Sequence, residues 1–315
     1  MQVYKNCFIT CLVFSISVSS LFAQQKDTLY SFTVFKDVKI TINRTVRSFT
    51  SKKPALLILF ALPNGNTTAQ TMGKKMAAGD DWHFDIQHIR AQTAFLRTVL
   101  HNKNIVVAYL ENDYKSWPAW KQKHPEFAVE IKSIVDTLSS LFTKPVIYLN
   151  GHSGGGSFIF GYLKGVTVIP DKIRRISFID SNYGYDSTYT NQLITWLNNK
   201  HHSLNVFAYN DSIALYNDKP VVSATGGTWY KSHLLLKHLS PKFKITTETN
   251  DSLVIIKSKD ERVQFFFKLN PYRKIFHTQQ VELNGFIHSI LCGTKFDSKN
   301  YLYYGQRAYA AFIKD

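Results

Sequence analysis

Gly151-His152-Ser153-Gly154-Gly155, directly after the apolar run Pro145-Val146-Ile147-Tyr148-Leu149-Asn150, constrains this chain more than any other segment. The run is β-branched and apolar, so it reads as a buried strand. Ser157 to Leu163 is aromatic and aliphatic with no proline, as a buried helix requires. A strand that passes into a helix through so short a segment must turn sharply. Glycines on both sides are needed because the two backbones approach closely. A serine at such a turn has its hydroxyl pushed out of the sheet, and the first helical N–H groups face any oxyanion formed when it attacks a carbonyl. The bland alternative is a glycine-rich turn that only joins a strand to a helix.

The rest of the chain alternates strands with helices. Leu29 to Lys36 and Val38 to Val46 read as an opening antiparallel pair, and Ala55 to Leu62 as a strand buried on both faces. Ile86 to Leu100 carries helical spacing, Ile105 to Leu110 is a second buried strand, and Phe127 to Phe142 is an amphipathic helix. Further strands are expected at Ile173 to Ile179 and Leu204 to Tyr209, a helix at Lys231 to Leu239, and a hairpin from Leu253 to Leu269. A helical C-terminus is expected over Tyr301 to Ile313. This order implies βαβ crossovers and a mainly parallel central sheet with helices on both faces.

A serine hydroxyl is a poor nucleophile without a base, and the base needs an orienting acceptor. The chain order tested here is Ser, then acid, then His. His288, in Asn284-Gly285-Phe286-Ile287-His288-Ser289, is the expected base. His277, in the strand-like Ile275-Phe276-His277, reads as a half-buried structural residue. His152 is expected to line the turn, and His233 to line the pocket or cap a helix. Asp211 and Asp180 each end a strand and are both candidate acids, with Asp211 preferred. Gly154 N–H is the expected first oxyanion donor, and Asn64, Gly65 or Asn66 after the Ala55 strand the second.

These residues resemble the α/β-hydrolase superfamily, and more narrowly exported bacterial esterases that act on plant or algal polysaccharides. The resemblance covers nearly all of residues 24–315 in element order, although the His-Gly-Gly-Gly form of the oxyanion loop is absent. It implies the α/β-hydrolase fold, with Ser153 as nucleophile, His288 as base and Asp211 (or Asp180) as acid. It implies an ester hydrolase working through an acyl-enzyme. A peptidase or other acyl hydrolase on the same fold is the first rival, and a non-catalytic carbohydrate- or envelope-binding protein the second.

Lys5 followed by a mostly apolar run to Phe22 and then Ala23 reads as a signal peptide over residues 1–23, with one domain over 24–315. The expected location is periplasmic or secreted. No later run is long enough to span a membrane. Beyond the leader only Cys292 remains, so no internal disulfide is expected. The net charge of +16 favours acidic partners such as uronic-acid polysaccharide. The basic residues are scattered and show no zinc-finger or recognition-helix pattern, so no nucleic acid is expected. His83, Asp85 and His88 match no standard zinc spacing, and no metal or other cofactor is expected. Arg90 and Arg97 share a helix face that can meet a substrate carboxylate. Trp229-Tyr230 and Tyr183-Gly184-Tyr185 are candidate sugar-stacking aromatics.

Overall fold

The computed structural model describes residues 27–46 and 53–315. The leader expected over residues 1–23 lies outside them. In chain order the strands are β1 (Asp27–Val34), β2 (Val38–Thr45), β3 (Ala55–Ala61), β4 (Asn104–Asn112), β5 (Val146–His152), β6 (Ile173–Ile179), β7 (Ser203–Tyr209), the two-residue β8 (Leu215–Tyr216) and β9 (Lys219–Pro220), β10 (Ile245–Thr249), β11 (Leu253–Ser258) and β12 (Val263–Lys268). The helices are α1 (Thr68–Met72), α2 (Ile89–Val99), α3 (Trp117–Lys123), α4 (Phe127–Ser140), α5 (Gly156–Lys164), α6 (Thr190–Leu197), α7 (Thr228–Leu239), α8 (Gln279–Glu282) and α9 (Gly285–Leu291).

One ten-stranded sheet runs β1-β2-β4-β3-β5-β6-β7-β12-β11-β10. The six strands from β4 to β12 are mutually parallel, and β1-β2 and β11-β10 add antiparallel pairs at the edges. The sheet is therefore mainly parallel, as expected. The two-residue period of a strand sends alternate side chains to two cores. In β3, Leu57 and Leu59 join one cluster with the buried faces of α3 to α7. Leu56, Ile58 and Phe60 join the other, with α2, α8, α9 and the C-terminal tyrosines.

The chain leaves β3 for β4 on one side and returns to β5 on the other, so the sheet has its switch point between the C-terminal ends of β3 and β5. Ligands of open α/β sheets bind in that crevice. It is bounded here by Asn64 and Ser153.

Three expectations shift. The helix expected from Ile86 begins at Ile89, because His88 sits in the left-handed region (φ 47°) and Trp82–Asp85 forms a separate 3-10 turn capped by Asp81. The helix expected from Lys231 begins at Thr228, where the Asp211 carboxylate accepts the Thr228 and Trp229 N–H groups. The C-terminal segment is not a helix apart from a 3-10 turn at Ala310–Phe312. Asn284 takes its backbone groups instead, donating to the Leu302 and Gln306 carbonyls and accepting from Ala308 N–H. No helix among the described residues is long and apolar enough to cross a membrane.

Candidate active site

The turn after β5 has the geometry its glycines demand. Ser153 adopts φ 54°, a left-handed conformation that is sparsely populated by non-glycine residues and collects at functional sites. A Cβ on Gly155 would lie 2.2 Å from the Ala61 carbonyl oxygen at the end of β3. Only glycine lets α5 start that close to the neighbouring strand. A Cβ on Gly154 would lie 1.9 Å from Asn64 Oδ1, so the Asn64 side chain covers the residue after Ser153. The loop carrying Asn64 is fixed by Gly65 N–H donating to the Lys115 carbonyl at 2.8 Å. Asn64 and Gly65 are exposed and Ser153 is half-buried, so the crevice is open to solvent.

The histidine at this turn is His277, which follows β12. Its ring stacks on His152 with centroids 4.6 Å apart. His152 Nε2 donates to the His277 carbonyl oxygen at 3.1 Å, and His152 Nδ1 accepts from Gln87 Nε2 at 2.8 Å. Those two bonds assign the neutral Nε2–H tautomer to His152. Burial, reinforced by the adjacent His277 ring, pushes the His152 imidazole well below its usual range. His277 itself is half-buried, and its Nδ1 contacts Asp180 Oδ2 at 2.5 Å.

Asp180 follows β6 in a left-handed conformation (φ 45°) and is fully buried. Its second oxygen accepts from the Thr228 hydroxyl. Asp211, after β7, accepts from the first N–H groups of α7 and stands 3.2 Å from the Thr228 hydroxyl, and it meets no histidine. Asp180 and His277 are thus paired beside His152, the residue that precedes Ser153.

The structure places His288 elsewhere. It lies in α9, 4% exposed, with Nδ1 on the Tyr301 hydroxyl at 2.8 Å and its ring stacked 5.0 Å from Tyr303. Burial pushes its imidazole down to about 4. It borders a cavity of about 510 Å³ between β10–β12 and the C-terminal segment, on the far side of β7 from β5. The glycine-containing turn before it, which on sequence suggests a loop histidine, starts α9.

Other candidates are committed to packing. Arg90 makes two bonds to Asp27 of β1, at 2.8 and 3.0 Å. Burial raises the Asp27 carboxyl, but Arg90, Lys314 and Asn43 outweigh it and hold Asp27 well below the usual range. Arg97 is spent on Asn43 and the Ile105 carbonyl. Trp229 packs against Phe267 and His233. His83 pairs with Asp81, and His88 with Asp85, which also holds Arg307.

No family model and no curated protein matches the chain. It is similar to the solved structure of a siderophore hydrolase from Aspergillus nidulans, at 13% identity over 89% of this chain and 99% of that one, with a TM-score of 0.48. It is also similar to an S-formylglutathione hydrolase from Agrobacterium tumefaciens (10% identity, 83% and 92%, TM-score 0.42). A third is an IroE-like serine hydrolase from Shewanella oneidensis (13% identity, 84% and 79%, TM-score 0.46). The sheet order, its parallel run and the sharp β5–α5 turn are themselves those of the α/β-hydrolase fold expected from the sequence.

Proposed function

We propose that this chain is a serine ester hydrolase in which Ser153 is the nucleophile, His277 the general base and Asp180 the acid that orients it. The observation that carries this reading is the contact of His277 Nδ1 with the buried Asp180 carboxylate, on a loop held against the residue preceding Ser153. The bond to Asp180 fixes the proton on Nδ1 and leaves Nε2 as the basic nitrogen. Ser153 Oγ attacks the ester carbonyl while Nε2 takes the hydroxyl proton. The charge on the carbonyl oxygen is met by Gly154 N–H and a donor of the Asn64–Gly65 loop. Collapse breaks the bond to the alcohol, which leaves with the proton from Nε2. Water then attacks the acyl-enzyme by the same route and releases the acid.

The substrate class follows from charge. With 38 basic against 22 acidic residues, an ester borne on an acidic polysaccharide is favoured over a neutral one. Export through cleavage after Ala23 belongs to the same reading.

A fluorophosphonate probe on the purified protein tests the chemistry. The expected result is an adduct on Ser153 whose formation collapses in H277A and persists in H288A. No adduct on folded protein, or dependence on His288 instead, overturns the assignment. The substrate reading fails if acidic and neutral esters are turned over alike and added salt changes neither rate.

A further inference from the structure

Asp211 is 1% exposed and touches no histidine, yet it meets the acid that does. Its Oδ2 accepts Thr228 N–H at 2.7 Å and its Oδ1 accepts Trp229 N–H at 3.3 Å, so it sits on the first turn of α7. The Thr228 hydroxyl lies between two carboxylates. It donates to Asp180 Oδ1 and stands 3.2 Å from Asp211 Oδ2. A hydroxyl carries one proton. With that proton given to Asp180, the second contact becomes a hydrogen bond only when Asp211 brings a proton of its own.

We propose that Asp211 is a positioning residue for the general base: it anchors Thr228, whose hydroxyl fixes the free oxygen of Asp180, and its negative charge supports the positive charge that forms on His277 during turnover. This rests on the reading of Ser153, His277 and Asp180 as the triad. Four elements pack against Asp211. They present Asp180 at the end of β6, Tyr183 on the loop after it, Tyr209 of β7, and Thr228 and Trp229 of α7. His277 lies beyond Asp180. Of the basic side chains on these elements and on β12, Lys231 turns to the Tyr185 carbonyl, Lys268 to the Leu269 carbonyl and His233 to the Trp229 carbonyl. The local field is anionic, and its net charge depends on Asp211.

Burial first, and then repulsion from Asp180, raise the Asp211 carboxyl to about 6 against the pull of the two backbone N–H groups. Below that pH Asp211 gains a proton and passes a hydrogen bond to Thr228, and the site loses one negative charge. Protonation of Asp211 therefore adds its own loss of turnover at acid pH.

The test is kcat/KM for ester hydrolysis against pH for the wild type, D211N, T228V and T228S, with folding followed by circular dichroism across the range. In the wild type the acid limb is one proton steeper than in D211N, the extra proton entering near pH 6. D211N keeps the shape of the carboxyl without its charge, so its limb lacks that proton, and at pH 8 kcat falls about tenfold with KM little changed. T228V loses kcat in the same way, and T228S, which keeps the hydroxyl, recovers most of it. A D211N profile as steep as that of the wild type overturns the proposal, as does a folded T228V with wild-type kcat. If D211N does not fold, the T228V and T228S pair decides. A failure of the triad itself is distinct: D180N would then be fully active, whatever D211N does.

Discussion

His277 and His288 both follow the last parallel strand, and the fold treats them in opposite ways. His277 sits on a loop with one ring edge on a buried carboxylate and the other left open. The His288 ring is buried against Phe266 and Tyr303, with Nδ1 on the Tyr301 hydroxyl and 3.7 Å from the Asp297 carboxylate. A base needs an acceptor to fix its tautomer and a free nitrogen to take a proton. At His288 burial outweighs the pull of the Asp297 carboxylate and stabilises the neutral ring. The difference shows that position after the last strand is not sufficient to make a histidine a base. The partner on its second nitrogen decides.

That comparison breaks most sharply on S153A and H277A. Each is expected to lower kcat by a factor on the order of 10³ or more in an ester assay, while H288A, if folded, retains most of it. Equal losses in H277A and H288A would erase the contrast. D180N is the next largest effect, about 10²–10⁴-fold in kcat, because the amide presents the wrong partner to Nδ1. The loss is read against unchanged thermal stability.

His288 should instead govern stability. Burial holds its folded-state value at about 4, below the ordinary imidazole value of 6.5, so the unfolded chain takes up the proton more readily. The stabilisation from the neutral ring is therefore complete above pH 6.5 and is lost as pH falls towards 4. It amounts to about 3 kcal/mol at most. Urea unfolding of wild type and H288F at pH 7.5 and 4.5 checks this, and H288F is expected to show the smaller difference between the two. The smallest effect is expected from R90A. It leaves the Asp27 carboxylate with fewer partners and costs about 1–2 kcal/mol of stability with no change in kcat.

The strands and the turn at Ser153 were legible because local chemistry dictates them. Buried parallel strands are runs such as Ala55–Ala61, and a turn that brings α5 within contact of Ala61 must be built of glycine. The pairing of His277 with Asp180 has no local signal in the sequence. Ile275-Phe276-His277 looks like strand, and nothing in it announces a carboxylate from β6. Asp180 and Asp211 each end a parallel strand, so both are candidate acids on sequence, and the preference for Asp211 does not foresee that His277 contacts Asp180. The choice depends on which of them α7 engages through Thr228 and Trp229. The C-terminal segment carried helix-forming residues, but Asn284, remote in sequence, captured its backbone groups first.

His152 occupies the x of a G-x-S-x-G pattern, a notation that implies indifference to the residue there. In this chain that residue is the hinge pin between two loops. Its Nε2 holds the backbone that carries His277, and its Nδ1 is held in turn by Gln87. Positions 87 and 152 are therefore coupled side chain to side chain, while position 277 is held through its backbone carbonyl. A search for relatives that lets 152 vary freely would admit sequences in which the serine survives and its histidine has drifted out of reach.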